Sequence, residues 1–235
     1  MNSVPGDKEL PLEEHIIELR SRMLVVAVPI LLTTFIVFIF SGELLKMIWN
    51  NAIPLPMTIY SPMELIITRF KLSLVTALFI GVPLLLYEGF MFVGKGLYQN
   101  EKIYFIKIVP FSFLLFVSGA SLAYFLVLPI LFKYTIFYSM DVADPQVSVK
   151  RTIDTIITLM LGFGLVFQFP LLLIAAIKMG LVKREFFKGK RKFVYGALLA
   201  FALFITPDPT AISELIVALV LVMLFEFSLI IVRYF

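Results

Sequence analysis

The sequence predicts an all-α, polytopic membrane protein: six transmembrane helices in a curved, cup-like bundle, the last two of them short. Three observations predict it. Hydrophobic residues fill 61% of the 235 positions and mean hydropathy is +1.02, whereas soluble domains run near half apolar. Apolar residues also come in long uncharged runs, and a bilayer core needs about 20 of them per helix. Prolines fall inside those runs, at Pro29, Pro83, Pro110, Pro129 and Pro170. Each removes a backbone donor and kinks its helix, which suits a cupped molecule better than a straight bundle.

Residues 1–235 read as one transmembrane domain. Asp7, Glu9, Glu13 and Glu14 make the start acidic, unlike a secretory signal, so the first span is expected to be a retained anchor. Over residues 12–22, Leu12, Ile16 and Leu19 form a stripe that continues to Met23, with Glu13, Glu14, Glu18 and Arg22 off it. That is an amphipathic helix at the membrane interface, running into a span at about 23–42.

The loop 41–67 carries Pro54, Pro56 and Pro62, a density that predicts an ordered but irregular cap. Ser61-Pro62 followed by Glu64 reads as a helix start, with proline in the first turn. Spans at about 68–93 and 104–132 follow, joined by the loop 94–102. Ser118-Gly119-Ala120-Ser121 lets a neighbouring helix come close, most simply for internal packing. A second loop, 133–151, leads to a span at about 152–178.

Beyond the basic loop 178–192 come short spans at 193–206 and 211–232, separated by Thr206-Pro207-Asp208-Pro209. Two prolines around an aspartate make a turn, not a continuing helix. A helix of roughly 14 residues reaches only about 21 Å, less than the ~30 Å hydrocarbon core. Such a hairpin thins the bilayer or leaves one end wet.

Six spans put both termini on one side. With the N-terminus inside, the inner segments hold 13 Lys and Arg against 6 in the outer segments, Lys107 being left out because it lies inside the third span. Positive charge therefore places the termini in the cytoplasm of a cell (plasma or inner) membrane. The cluster 183–192 is read as topology control and contact with anionic lipid.

Catalysis is not expected. There is one histidine, His15, and no cysteine, and no phosphate loop, metal-ligand spacing or nucleic-acid motif is seen. No metal or cofactor is called for. Taken alone, Glu18 reads as an ordinary i,i+4 pair with Arg22, worth a few tenths of a kcal/mol, and Glu101 as a solvated loop charge. Glu88, Glu214 and Glu226 lie within or at the ends of spans, where an ionised group at mid-bilayer costs roughly 2.5–3.5 kcal/mol and needs a partner or water. Glu88 and Glu226 can reach the inner interface. Gln168 sits midway along its span and cannot, so it must face protein or a wet cavity.

Several strings then add up in order. They are 15–22 (HIIELRSR), 61–64 (SPME), 97–102 (LYQNEK), 119–125 (GASLAYF) with Leu128-Pro129, 163–170 (FGLVFQFP) and 206–208 (TPD). Together they resemble the TatC family, the receptor subunit of twin-arginine protein translocases. The resemblance implies a subunit that binds twin-arginine signal peptides and exports folded proteins using the proton-motive force. It implies partners of the TatA type, with TatB where present, and self-association. It places signal-peptide binding at Glu18, Arg20, Phe92 and Glu101, and intramembrane polar contacts with partners at Gln168 and Asp208. Two arginines present planar forks that bind carboxylates bidentately, which a lysine pair cannot copy. The family often has glutamate at the position of Gln168. Glutamine keeps the hydrogen-bonding capacity without the charge. The alternative on residues alone is a secondary transporter of a small solute, against which stands the absence of an internal repeat.

Overall fold

The computed structural model describes residues 12–93, 99–140, 146–178, 189–205 and 211–234. Helix dominates them: α1 (Leu12–Ala52), α2 (Pro62–Val93), α3 (Gln99–Leu122), a π-helical turn (Ala123–Val127), α4 (Leu128–Met140), α5 (Val149–Val166), α6 (Phe169–Lys178), α7 (Arg191–Ile205) and α8 (Ala211–Tyr234). Among the described residues the single β feature is one isolated bridge, Thr58 to Ser148.

The solvent pattern is inverted relative to a soluble protein. Phe35, Ile39, Phe125, Phe137 and Phe193 are largely exposed, while Thr34, Ser41, Thr68, Ser73 and Ser112 are buried. In water that arrangement would be unstable, because exposed apolar surface costs about 25 cal/mol per Å². In lipid it is the stable one. The small hydroxyls cost little inside because they bond their own helix: Thr34 donates to the Ile30 carbonyl at 2.7 Å, Ser73 to that of Arg69 at 2.7 Å. Four helical stretches, 13–52, 62–89, 109–137 and 149–174, are long and apolar enough to cross a membrane. With the closing pair α7 and α8 they make six. Burial within these stretches rises from 11% in the first to 56% in the last, so of the four α1 is the most exposed and α5 the most enclosed.

The chain divides into two compact units, Met1–Lys46 with Ile66–Leu114, and Met47–Leu65 with Leu115–Phe235. In the first, α1 and α2 approach closely at Gly81, where an added Cβ would lie 2.8 Å from Ile30 Cγ1. Towards the end of α1 near Ser41, the Arg69 guanidinium donates to Ser41 Oγ at 2.8 Å and lies 5.5 Å from the Phe38 ring centroid. Desolvating a cation is offset there by a hydroxyl and an aromatic face.

The second unit is built on α5. Val149, Ile153, Ile156, Ile157, Phe163 and Val166 are buried at helical spacing. Gly119 of α3 and Gly164 of α5 interlock there. A Cβ on Gly119 would meet the Phe163 carbonyl oxygen at 2.5 Å, and one on Gly164 would meet the Phe116 ring at 2.6 Å. The small patch at 118–121 is thus internal packing at its glycine. The loop 53–61 is an ordered cap. Trp49 Nε1 donates to the Leu55 carbonyl at 2.7 Å, and Thr58 exchanges backbone bonds with Val147 and Val149 at 3.3 and 3.1 Å. Glu64 Oε1 accepts from Ser148 Oγ at 2.8 Å, and the backbone N–H of Tyr60 donates to Glu64 Oε2 at 3.3 Å. The helix start at Pro62 is therefore capped by Glu64, one residue further back than a Ser61 capping box would have it. The closing hairpin is tied by Tyr195 donating to Glu226, with Arg191 Nη2 3.4 Å from the same carboxylate.

Helix ends differ from the apolar runs. Helix α1 continues ten residues past the expected end at 42, because Glu43 and Lys46 are good helix formers and nothing stops the chain before Ala52. Helix α4 runs to Met140, beyond the expected loop start at 133. The third crossing holds its wider turn just before Pro129: the Leu128 N–H bonds to Ala123 O, five residues back. The fourth crossing is not continuous. It breaks at Phe167-Gln168, where the Gln168 N–H turns to Leu165 O at 3.0 Å, ahead of Pro170.

Candidate functional site

At the Glu18 end of the first unit, α1 and α2 bring three charges together. Helical spacing sets Glu18 and Arg22 one turn apart, and Arg22 Nε donates to Glu18 Oε1 at 2.8 Å. A different N–H of the same guanidinium, on Nη1, donates to Glu88 Oε2 at 2.6 Å. Glu88 is 66 residues away in sequence, near the end of α2. All three side chains are largely covered, with 13–20% of their surface exposed. Charge-assisted bonds of this length are roughly twice as strong as neutral ones.

One turn beyond Glu88, Phe92 stacks on His15, the ring centroids 4.5 Å apart at 29°. A cavity of about 480 Å³ runs away from this cluster between α1 and α2, lined by Leu19, Met23, Ile30, Leu85 and others. Arg22 and Glu88 are the charged groups among its lining residues, with Phe92 also on the wall. The arrangement is an apolar slot with an acidic, aromatic mouth. It suits a ligand with a cation at one end and a hydrophobic stretch behind it.

The structure puts Phe92 on the wall of this slot and ties Glu18 to it through Arg22. Arg20 is exposed, and two residues along a helix from Glu18 it stands about 200° away around the axis. It does not join the cluster. Glu101 is placed by its backbone in the first turn of α3; its side chain lies outside the described residues, as does Asp208 altogether. Gln168 is buried at the α5–α6 break, where its carbonyl accepts the Leu172 N–H at 3.0 Å. Among the described residues no group of three or more His, Asp or Glu could hold a metal ion. Sequence reasoning singled out Glu88 as an acid in need of a partner and left that partner unnamed. It also left His15 unassigned.

Fold and site define a polytopic helical membrane protein with a Glu18–Arg22–Glu88 cluster at one end of an apolar helix pair. Comparison with known proteins goes further. The family model described as Sec-independent protein translocase protein (TatC) matches residues 14–219. The TatC protein of Methanocella arvoryzae is 44% identical over 232 residues, covering 98% of this chain and 96% of that one. That of Aquifex aeolicus is 31% identical, covering 94% and 93%. A crystal structure described as the twin arginine translocase receptor TatC superposes with a TM-score of 0.81 at 28% identity, covering 92% of this chain and 98% of its own. The chain belongs to the TatC family of Sec-independent protein translocase proteins. It is a multi-pass membrane component of a translocase, a transport protein and not an enzyme.

Proposed function

We propose that this chain is the receptor subunit that binds twin-arginine signal peptides and passes their folded proteins across the membrane. One observation carries the reading: Glu18 and Glu88, both bonded to Arg22, adjoin an apolar slot between α1 and α2 that has Arg22, Glu88 and Phe92 on its wall. A signal peptide pairs consecutive arginines with a hydrophobic stretch, and a mouth of this kind complements both. Carboxylates at 13–15% exposure act in a reduced dielectric, where bidentate recognition of a guanidinium outweighs that of a more strongly hydrated ammonium. Glu101, at the start of α3, is a further acid of the site, and Arg20 an exposed neighbour that meets substrate or partner outside it.

On this reading both termini are cytoplasmic, as the charge asymmetry favours. Single-span TatA-type partners, and TatB-type ones where present, dock on the apolar helix faces. Gln168, at the buried break, and Asp208 provide polar contacts for such a helix. Copies of the chain associate with one another, and the proton-motive force drives transport.

Crosslinking a twin-arginine peptide to the full chain in membranes tests the reading, with a lysine-lysine peptide as control. Labelling is expected to need the arginine pair and to fall in Glu18→Ala and in Glu101→Ala. Equal labelling by both peptides, indifferent to the two acids, would overturn it.

A further inference from the structure

Two cavities of the second unit meet at Lys190, and no role assigned so far uses either. One is an apolar groove of about 530 Å³ between the α5–α6 break and α7. Val166, Leu198 and Leu221 form its buried side, while Leu165, Leu172 and Phe201 stand exposed along it. The other, of about 570 Å³, is lined by Gly189, Lys190, Arg191, Lys192 and Phe193. Lys190 and Phe193 belong to both. We infer that the pair is a binding site for one anionic phospholipid, its phosphate among the basic residues and a hydrocarbon tail in the groove.

The headgroup end is set by charge. Three of the five residues described around the second cavity are basic and none is acidic. Arg191 is anchored there, its Nη2 3.4 Å from Glu226 Oε2, with Tyr195 donating to the same carboxylate. Because Glu226 lies on α8, the closing helix pair fixes the cluster at the end of the groove. Lys192 is exposed and pairs with no carboxylate among the described residues. Basic pockets between membrane helices attract anionic headgroups in this way, each cation near the surface adding to the attraction. The tail end is set by size. Phe193 and Phe201 stand about 12 Å apart along α7, close to one leaflet of a ~30 Å hydrocarbon core. A partner helix about 10 Å across would fill about 900 Å³ over that length, more than the groove holds. A single hydrocarbon chain lies within it. Helix α7 has 15 residues and reaches only about 22 Å, so a lipid held beside it also seals a short span against the bilayer.

Photolabelling of the full chain in phosphatidylcholine nanodiscs tests the proposal. A trace of phosphatidylglycerol with a diazirine in its acyl chain is the probe, and phosphatidylcholine with the same diazirine is the control. Labelled peptides are mapped after illumination. The phosphatidylglycerol probe is expected to concentrate on 165–172 and 193–201, at least fivefold above the control. Lys190→Gln/Lys192→Gln is expected to lower that labelling about tenfold, two cations being lost, and Lys190→Arg/Lys192→Arg to keep it. Ala197→Trp, which puts an indole into the groove, is expected to abolish it. Leu199→Trp, about 200° around the helix from Ala197 and likewise exposed, is expected to leave it unchanged. The comparison of the two probes on the unaltered chain needs no variant, so a variant that fails to fold does not remove the test. Equal labelling by the two probes, or labelling spread evenly over the exposed helices, would overturn the proposal and leave the groove to ordinary bilayer lipid. So would labelling that a co-reconstituted TatA-type helix displaces and the lysine variants leave alone, because the groove would then belong to a protein partner.

Discussion

Gln168 shows how much a single side chain is asked to do in this protein. It is buried at 8% exposure, at the point where α5 ends and α6 has yet to begin. Its backbone closes a tight turn to Leu165 and receives Leu172, so the main chain tolerates replacement. The side chain is what a substitution changes. Leucine there would remove a buried polar side chain, and transport is expected to drop severalfold in an export assay. Glutamic acid there keeps a hydrogen-bonding side chain of the same length, so Gln168→Glu is expected to export nearly as well as the unaltered chain. Full export by Gln168→Leu would mean the polar group has no role. Phe92 is a second case. Its stack on His15 contributes on the order of 1 kcal/mol, so Phe92→Leu is expected to lower peptide affinity a few-fold without unfolding the chain.

Among the helices, two glycines contrast a close helix contact with open space. Gly119 sits 2.5 Å, by its would-be Cβ, from a backbone oxygen of α5, and backbone cannot swing aside as a side-chain tip can. Gly119→Ala is expected to destabilise the detergent-solubilised protein by about 1–3 kcal/mol, the usual range for overpacking. Gly196→Ala in α7, where nothing lies within 4 Å, is expected to be neutral or to stabilise by up to about 1 kcal/mol. Thermal unfolding followed by fluorescence compares the two. The elements also show what hydropathy reveals and what it hides. The apolar runs were legible because lipid contact demands them. Helix ends were not, because a helix continues past the hydrocarbon wherever residues such as Glu43 and Lys46 allow it. The break at Phe167-Gln168 was hidden because both sides of it are equally apolar. Pro170 was its one local sign, and proline also occurs within the unbroken α1 and α2, at Pro29 and Pro83.

For the whole molecule, the orientation proposed from charge placement is directly measurable because of the chain's composition. With no native cysteine, a single introduced one reports alone. Tyr60→Cys replaces a side chain 62% exposed on the ordered cap, and Gly189 is exposed beside the basic loop. A membrane-impermeant maleimide is expected to label Tyr60→Cys in intact cells, and Gly189→Cys only after permeabilisation. The reverse pattern would invert the topology and move the Glu18 mouth to the wrong side. The site itself was partly legible. Glu18 and Phe92 carried a family pattern; Phe92 lies on the wall of the slot, and Glu18 is tied to it through Arg22. The Arg22–Glu88 bond spans 66 residues, and no local periodicity encodes a contact between two helices so far apart in sequence.

Reception of twin-arginine signals for export, as proposed for the Glu18 cluster, can be measured by expressing this chain, with its own organism's TatA-type partner, in cells lacking a TatC-type protein. A fluorescent protein that folds before export then carries the signal peptide. Export is expected with the arginine pair, to fall at least tenfold with a lysine pair or with Glu18→Ala, and to stop when the proton-motive force is dissipated. Export that ignores both the arginines and Glu18 would contradict the account.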